Sequence, residues 1–153
     1  MLLNRYKQSL WGIVLFAVAG LLVSGYLSYL TLTPSGSCPI TETSMFSCDA
    51  VIYSEYASPS GIPLSFLGLG WFVIALGLAW LSWRNTMFMR CMVVWSLIGL
   101  AGVAGLAYVE FSLIKAICAF CTVAHACGLA ILALSLVGWR SREKSTPEST
   151  SNP

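Results

Sequence analysis

Four stretches of this chain, Leu10 to Leu32, Pro63 to Trp83, Cys91 to Val109 and Ala116 to Trp139, are long, apolar and almost free of charge. Each is close to the ~20 residues that a helix needs to cross the hydrocarbon of a bilayer. In lipid every backbone N–H and C=O must be satisfied within its own segment, and over runs of this length only helices do that. The one Asp, Glu, Lys, Arg or His inside the runs is His125. A soluble fold fails on composition, because 9% charged and 58% hydrophobic residues compare with roughly 25% charged residues in soluble domains. The fold class expected is an all-α membrane protein, a four-transmembrane-helix bundle with a cysteine-bearing extracytoplasmic loop containing a short helix. The short second and third connections favour antiparallel up-down packing. The run "GLAGVAGLA" from Gly99 to Ala107 gives the third span small residues at a spacing that lets helices approach closely.

The net charge of +2 is too small to argue for nucleic acid, but its placement orients the chain. Arg5, Lys7, Arg84, Arg90, Arg140, Arg142 and Lys144 lie at the N-terminus, the second connection or the C-terminus, whereas the first and third connections hold only Lys115. Positive charge stays on the cytoplasmic side, so both termini are expected there. The first and third connections, with Glu42, Asp49, Glu55 and Glu110, are expected outside. The first apolar run exceeds the ~7 to 15 residues of a signal h-region and has no small-residue cleavage site close after it, so it reads as an uncleaved anchor.

The first connection, Thr33 to Ile62, is the longest and is rich in Pro, Ser, Gly and Thr, which marks it as a loop. Asp49 to Ala57 lacks Gly and Pro and reads as a short interfacial helix before Pro59, Gly61 and Pro63 break the chain. Residues 1–139 form one transmembrane domain. Residues 140–153 are polar and read as a disordered cytoplasmic tail.

Topology sorts the six cysteines into two classes. Cys38 and Cys48 lie in the outer loop, and Cys118 and Cys121 form a C-x-x-C where the fourth span leaves the outer face, so all four sit toward the oxidising side. Cys91 and Cys127 read as small buried hydrophobes. Structural zinc calls for about four ligands; a second C-x-x-C is missing and the sole His lies deeper, so no metal is expected. A redox dithiol fits better, because this spacing closes into a small disulfide loop at a helix N-terminus, where the helix dipole lowers a thiol pKa. At 1.5 Å per residue Cys121 lies about 4.5 Å deeper than Cys118, and His125 about 6 Å deeper again, within about 60° of one face. Cys118 is thus placed to meet a loop thiol and Cys121 to meet a bilayer-dissolved acceptor. A quinone suits a two-electron dithiol, and an intramembrane His is by default a functional candidate for its carbonyl. The loop pair is either a static staple or part of a relay through mixed disulfides. In the relay Cys48, just ahead of the short helix, meets Cys118, and Cys38 meets an external protein.

These residues resemble the vitamin K epoxide reductase family, specifically bacterial members that oxidise the thiols of secreted proteins. The likeness runs from about Leu10 to Trp139 and is strongest over "CDAVIYSEYASPSGIPLSFLG", Cys48 to Gly68, and over "CAFC", Cys118 to Cys121. The resemblance implies a quinone-dependent membrane thiol oxidoreductase with Cys38, Cys48, Cys118 and Cys121 catalytic. Cys121 would deliver electrons to ubiquinone or menaquinone, Cys118 would exchange with Cys48, and Cys38 with Cys48 would take electrons from a separate DsbA-like thioredoxin-fold protein. Ser54 matches the serine of the short helix, where it would hold the loop; with His125 and Ser65 it makes up the expected quinone-binding set. His125 stands where vertebrate members carry tyrosine, and Leu64 where they carry asparagine before the serine, which argues against vitamin K epoxide as substrate. The implied setting is a bacterial inner membrane and the implied state a monomer. A reductase running the other way is disfavoured, since a reduced quinone is a poor donor to low-potential structural disulfides. A channel or transporter subunit with stapling disulfides would call for more polar residues in the spans than His125 and scattered Ser and Thr.

Overall fold

The computed structural model describes residues 2–33, 47–58 and 61–143, with side chains from Asn4 onward. Cys38 lies outside the described residues. Its helices are α1 (Leu2–Leu32), α2 (Cys48–Ile52), α3 (Leu64–Arg84), α4 (Phe88–Tyr108) and α5 (Ala119–Glu143). A 3-10 turn, Glu55–Ala57, follows α2, and a π-helical turn, Val109–Ile114, extends α4. Four helices are long and apolar enough to cross a membrane, at Asn4–Leu32, Leu64–Arg84, Phe88–Ile114 and Ala119–Glu143.

The four spans form a ring in which α1 packs against α3 and α5, and α4 closes the bundle against the same two. Buried residues recur at the three- and four-residue steps that keep one helix face turned inward. Leu10, Ile13 and Ala17 of α1 meet Phe72, Ala75 and Ala79 of α3, Met89 and Met92 of α4, and Cys127 and Ile131 of α5. Large apolar side chains such as Trp11, Leu22, Trp80, Leu97 and Val137 are exposed on the outside, where hydrocarbon is their solvent. Lipid gives no hydrophobic drive to helix pairing, so close packing of small residues carries it. The serines follow that rule: Ser82, Ser135 and Ser141 donate to the carbonyls of Leu78, Leu132 and Val137 in their own helices, at 2.7, 2.9 and 2.8 Å.

Gly20 is the tightest of these approaches, because a Cβ there would land on the Phe72 ring. Overpacking a fitted core costs typically 1 to 3 kcal/mol. Gly20→Ala is therefore expected to lower the melting temperature of the detergent-purified protein, whereas Gly77→Ala, whose Cβ meets nothing within 4 Å, leaves it near wild type.

Three sequence readings are adjusted. Cys127 is buried, but Cys91 is exposed on the outer face of α4 and is not a core residue. The helix α5 continues past Trp139 to Glu143, with Arg140 and Arg142 in its last turn, where cations suit the negative helix end. Arg142 also lies over the Tyr6 ring, 4.9 Å from its centroid. The short helix is shorter than Asp49 to Ala57: Ser47 caps it by accepting the Ala50 N–H at 3.3 Å, and it ends at Ile52, where the Ser54 hydroxyl donates to the Val51 carbonyl at 2.9 Å. A serine that takes a nearby carbonyl in this way competes with the helix ladder.

Candidate active site

The end of the bundle where α1 finishes and α5 begins holds a second, smaller cluster in which Leu27 and Leu30 of α1 bury Cys48 and Cys118. Cys48 opens α2, and Tyr53 donates from its hydroxyl to the Leu30 carbonyl at 3.3 Å, which ties the α2 segment to the end of α1. Cys118 lies just before α5. Its carbonyl accepts the Thr122 N–H at 2.9 Å and its sulfur accepts the Cys121 N–H at 3.3 Å, the two bonds of a helix N-cap. The chain reaches this cap through Lys115, whose backbone is left-handed at φ 56° and turns the path from α4 into α5.

The two sulfurs meet across the cluster. Cys118 Sγ donates to Cys48 Sγ at 3.3 Å, with both residues buried and Cys118 wholly inaccessible. The Cys121 thiol, and then burial, push the Cys118 thiol well above its ordinary range, while the Cys121 N–H and the Cys48 sulfur pull the other way. The lowering that a helix N-terminus predicts is outweighed here by a second thiol and by desolvation.

Cys121 faces elsewhere. It lines a cavity of about 530 Å³ between α1, α3, α4, α5 and the α2 segment, within the roughly 300 to 1,000 Å³ of small-molecule sites. Ser54, Ser65, Trp71 and His125 line it too, and its other walls are largely apolar. Space for it comes from the small residues of α4 and α5: a Cβ at Gly102, Gly105 or Gly128, all in its wall, meets nothing within 4 Å. Ser65 Oγ and Trp71 Nε1 are buried without a hydrogen-bond partner among the described residues. Buried polar groups left unpaired are costly, so a cavity carrying two such donors suits a ligand that brings acceptors. Trp71 is held in place by the indole of Trp95, stacked at 6.3 Å, and by Gly99, where a Cβ would come within 2.6 Å of the ring.

Glu110 and Trp71 were not among the residues singled out from sequence. Glu110 follows directly on an apolar run and reads as the first residue of an outer loop, but the helix continues through the π turn and buries it in the cavity wall, 6% exposed. The signal available was a carboxylate flush with the end of a span. Trp71 had none, since an apolar run in a membrane protein admits tryptophan anywhere.

The arrangement thus joins a buried sulfur pair from two segments to a cavity through a second thiol, three residues on. Among the described residues no cluster of His, Cys, Asp or Glu could hold a metal ion. Comparison with curated proteins gives no match. The family model described as the Vitamin K epoxide reductase family matches residues 11–136, and the chain therefore belongs to that family, the membrane thiol oxidoreductases.

Proposed function

We propose that this chain passes electrons from protein thiols to a quinone, and so reoxidises a thioredoxin-fold, DsbA-like protein that forms disulfides outside a bacterial inner membrane. The observation that carries the reading is the pair of routes at the C-x-x-C: Cys118 touches the loop cysteine Cys48, and Cys121 opens on a largely apolar cavity. The cavity's residues fit a quinone, with Ser65 Oγ and Trp71 Nε1 as unpaired buried donors for its carbonyl oxygens and His125 and Ser54 in the same wall. When bound, the quinone supplies a two-electron, two-proton acceptor. The charge bias of the loops supports cytoplasmic termini and an outward-facing cysteine loop.

The relay runs by thiolate attack on disulfide sulfur. With Cys118 and Cys121 joined, the Cys48 thiolate attacks Cys118, and Cys121 leaves as a thiolate. Cys38 then attacks Cys48, which closes the loop disulfide and frees Cys118. The loop disulfide accepts electrons from the partner's dithiol, and the Cys118 and Cys121 thiols are reoxidised from the membrane side. The direction of flow is set by the acceptor, which draws the electrons out of the Cys118 and Cys121 thiols.

The test is reduction of a short-chain benzoquinone by the purified protein, with a reduced thioredoxin-fold protein or dithiothreitol as donor. Catalytic quinone reduction that saturates with the protein donor is expected. No reduction with either donor overturns the reading.

A further inference from the structure

Glu110 has no part in the thiol relay, yet its place in the fold is unusual for a carboxyl group. It is buried in the π turn at the end of α4, and it shares a cavity wall with Ile117 and Ala119, the residues on either side of Cys118. Beside the main cavity lies a second one of about 410 Å³, walled by Ala107, Phe111, Ile117 and Thr122 among others. Among the described residues, Glu110 and His125 are the two that line both cavities. Burying an ionisable group here is expensive, and an amide would fill the same space, so packing alone does not explain a carboxyl.

We propose that Glu110 is the proton carrier of this site, placed beside the C-x-x-C in the wall that the main cavity shares with the second. The inference rests on the quinone reading above. In the net step the Cys118 and Cys121 thiols lose two electrons and two protons and join as a disulfide, and both pairs pass to the quinone, giving hydroquinone. One proton comes from Cys121, which lines the cavity. The other leaves the buried Cys118, is taken up by the Glu110 carboxylate and is passed on to the second quinone oxygen, which restores the carboxylate.

The experiment compares wild type with Glu110→Gln, Glu110→Asp and Glu110→Ala. Glutamine keeps the size and polarity of the side chain and cannot carry the proton. Dithiothreitol-reduced proteins are mixed with a short-chain benzoquinone, and the rate is followed across quinone concentrations. General acid–base groups contribute typically 10² to 10⁴-fold. Glu110→Gln is expected to lower the limiting rate by on the order of 10²-fold with half-saturation unchanged, Glu110→Asp to recover part of it, and added formate to rescue Glu110→Ala. A second readout needs no quinone: oxidising the reduced protein with ferricyanide, which takes electrons and no protons, should leave the Cys118 proton on Glu110 and give a deuterium-sensitive carboxyl infrared band that Glu110→Gln lacks.

A wild-type rate in Glu110→Gln overturns the proposal and leaves quinone reduction by the wild type standing. So does a slow Glu110→Gln with no aspartate or formate rescue and no carboxyl band, which makes the residue structural. A wild type inert toward quinone overturns both readings. The infrared band on wild type keeps the proposal falsifiable if the variants fold poorly.

Discussion

Cys121→Ala is expected to abolish quinone reduction, by at least ~10³-fold, the scale on which loss of a reacting nucleophile acts. Without Cys121 the C-x-x-C cannot close and no thiol remains in the cavity wall. The same change should leave a covalent record. Cys118 remains within 3.3 Å of Cys48, and oxidation should join them in a disulfide that Cys121 can no longer reverse, most completely where Cys38→Ala also removes the thiol that attacks Cys48 in the forward relay. Peptide mapping without reductant should recover the Cys48–Cys118 linkage from Cys121→Ala and lose it in the double variant with Cys118→Ala. Retained quinone reduction by Cys121→Ala would place the exit thiol elsewhere, and an absent Cys48–Cys118 linkage would remove the proposed entry step.

The second large effect concerns the cavity itself. Gly128 lies one turn beyond His125 on α5, in the cavity wall, with open space where a Cβ would stand. Gly128→Leu should fill that space and leave the packed half of the bundle untouched. A single extra methylene in a fitted apolar pocket changes selectivity by about 10 to 200-fold, so an isobutyl group should lower kcat/KM for quinone by at least ~10²-fold. The melting temperature and Cys48–Cys118 cross-linking should stay near wild type. Unchanged kinetics in this variant would show that the acceptor does not use this cavity.

The four spans were legible because hydropathy over twenty residues leaves a chain few choices. The C-x-x-C at the head of the fourth span and its meeting with Cys48 were legible for a related reason, since depth follows from helical rise once the spans are set, while Cys38 lies outside the described residues. Glu110 was not, because a charge at the edge of an apolar run reads as the start of a loop, and the π turn that keeps it helical leaves no mark in composition. Trp71 was hidden by its surroundings, as its meaning depends on Gly99 and Trp95 from a neighbouring helix. Cys91 illustrates the converse: a small apolar residue in a span has no sequence feature that says whether it faces protein or lipid. The early end of α2 turned on one hydroxyl, that of Ser54, choosing a backbone carbonyl.

Phe72, which rests on Gly20, belongs both to the packed core and to the wall of the cavity. The ring therefore works as a floor, with solid helix packing on one side, toward Ala75 and Ala79, and hollow space on the other. Substitutions below that floor should change how long the protein survives, and substitutions above it should change what the protein accepts as oxidant. A family built on this plan has room to exchange one lipid-soluble acceptor for another while its foundation stays the same.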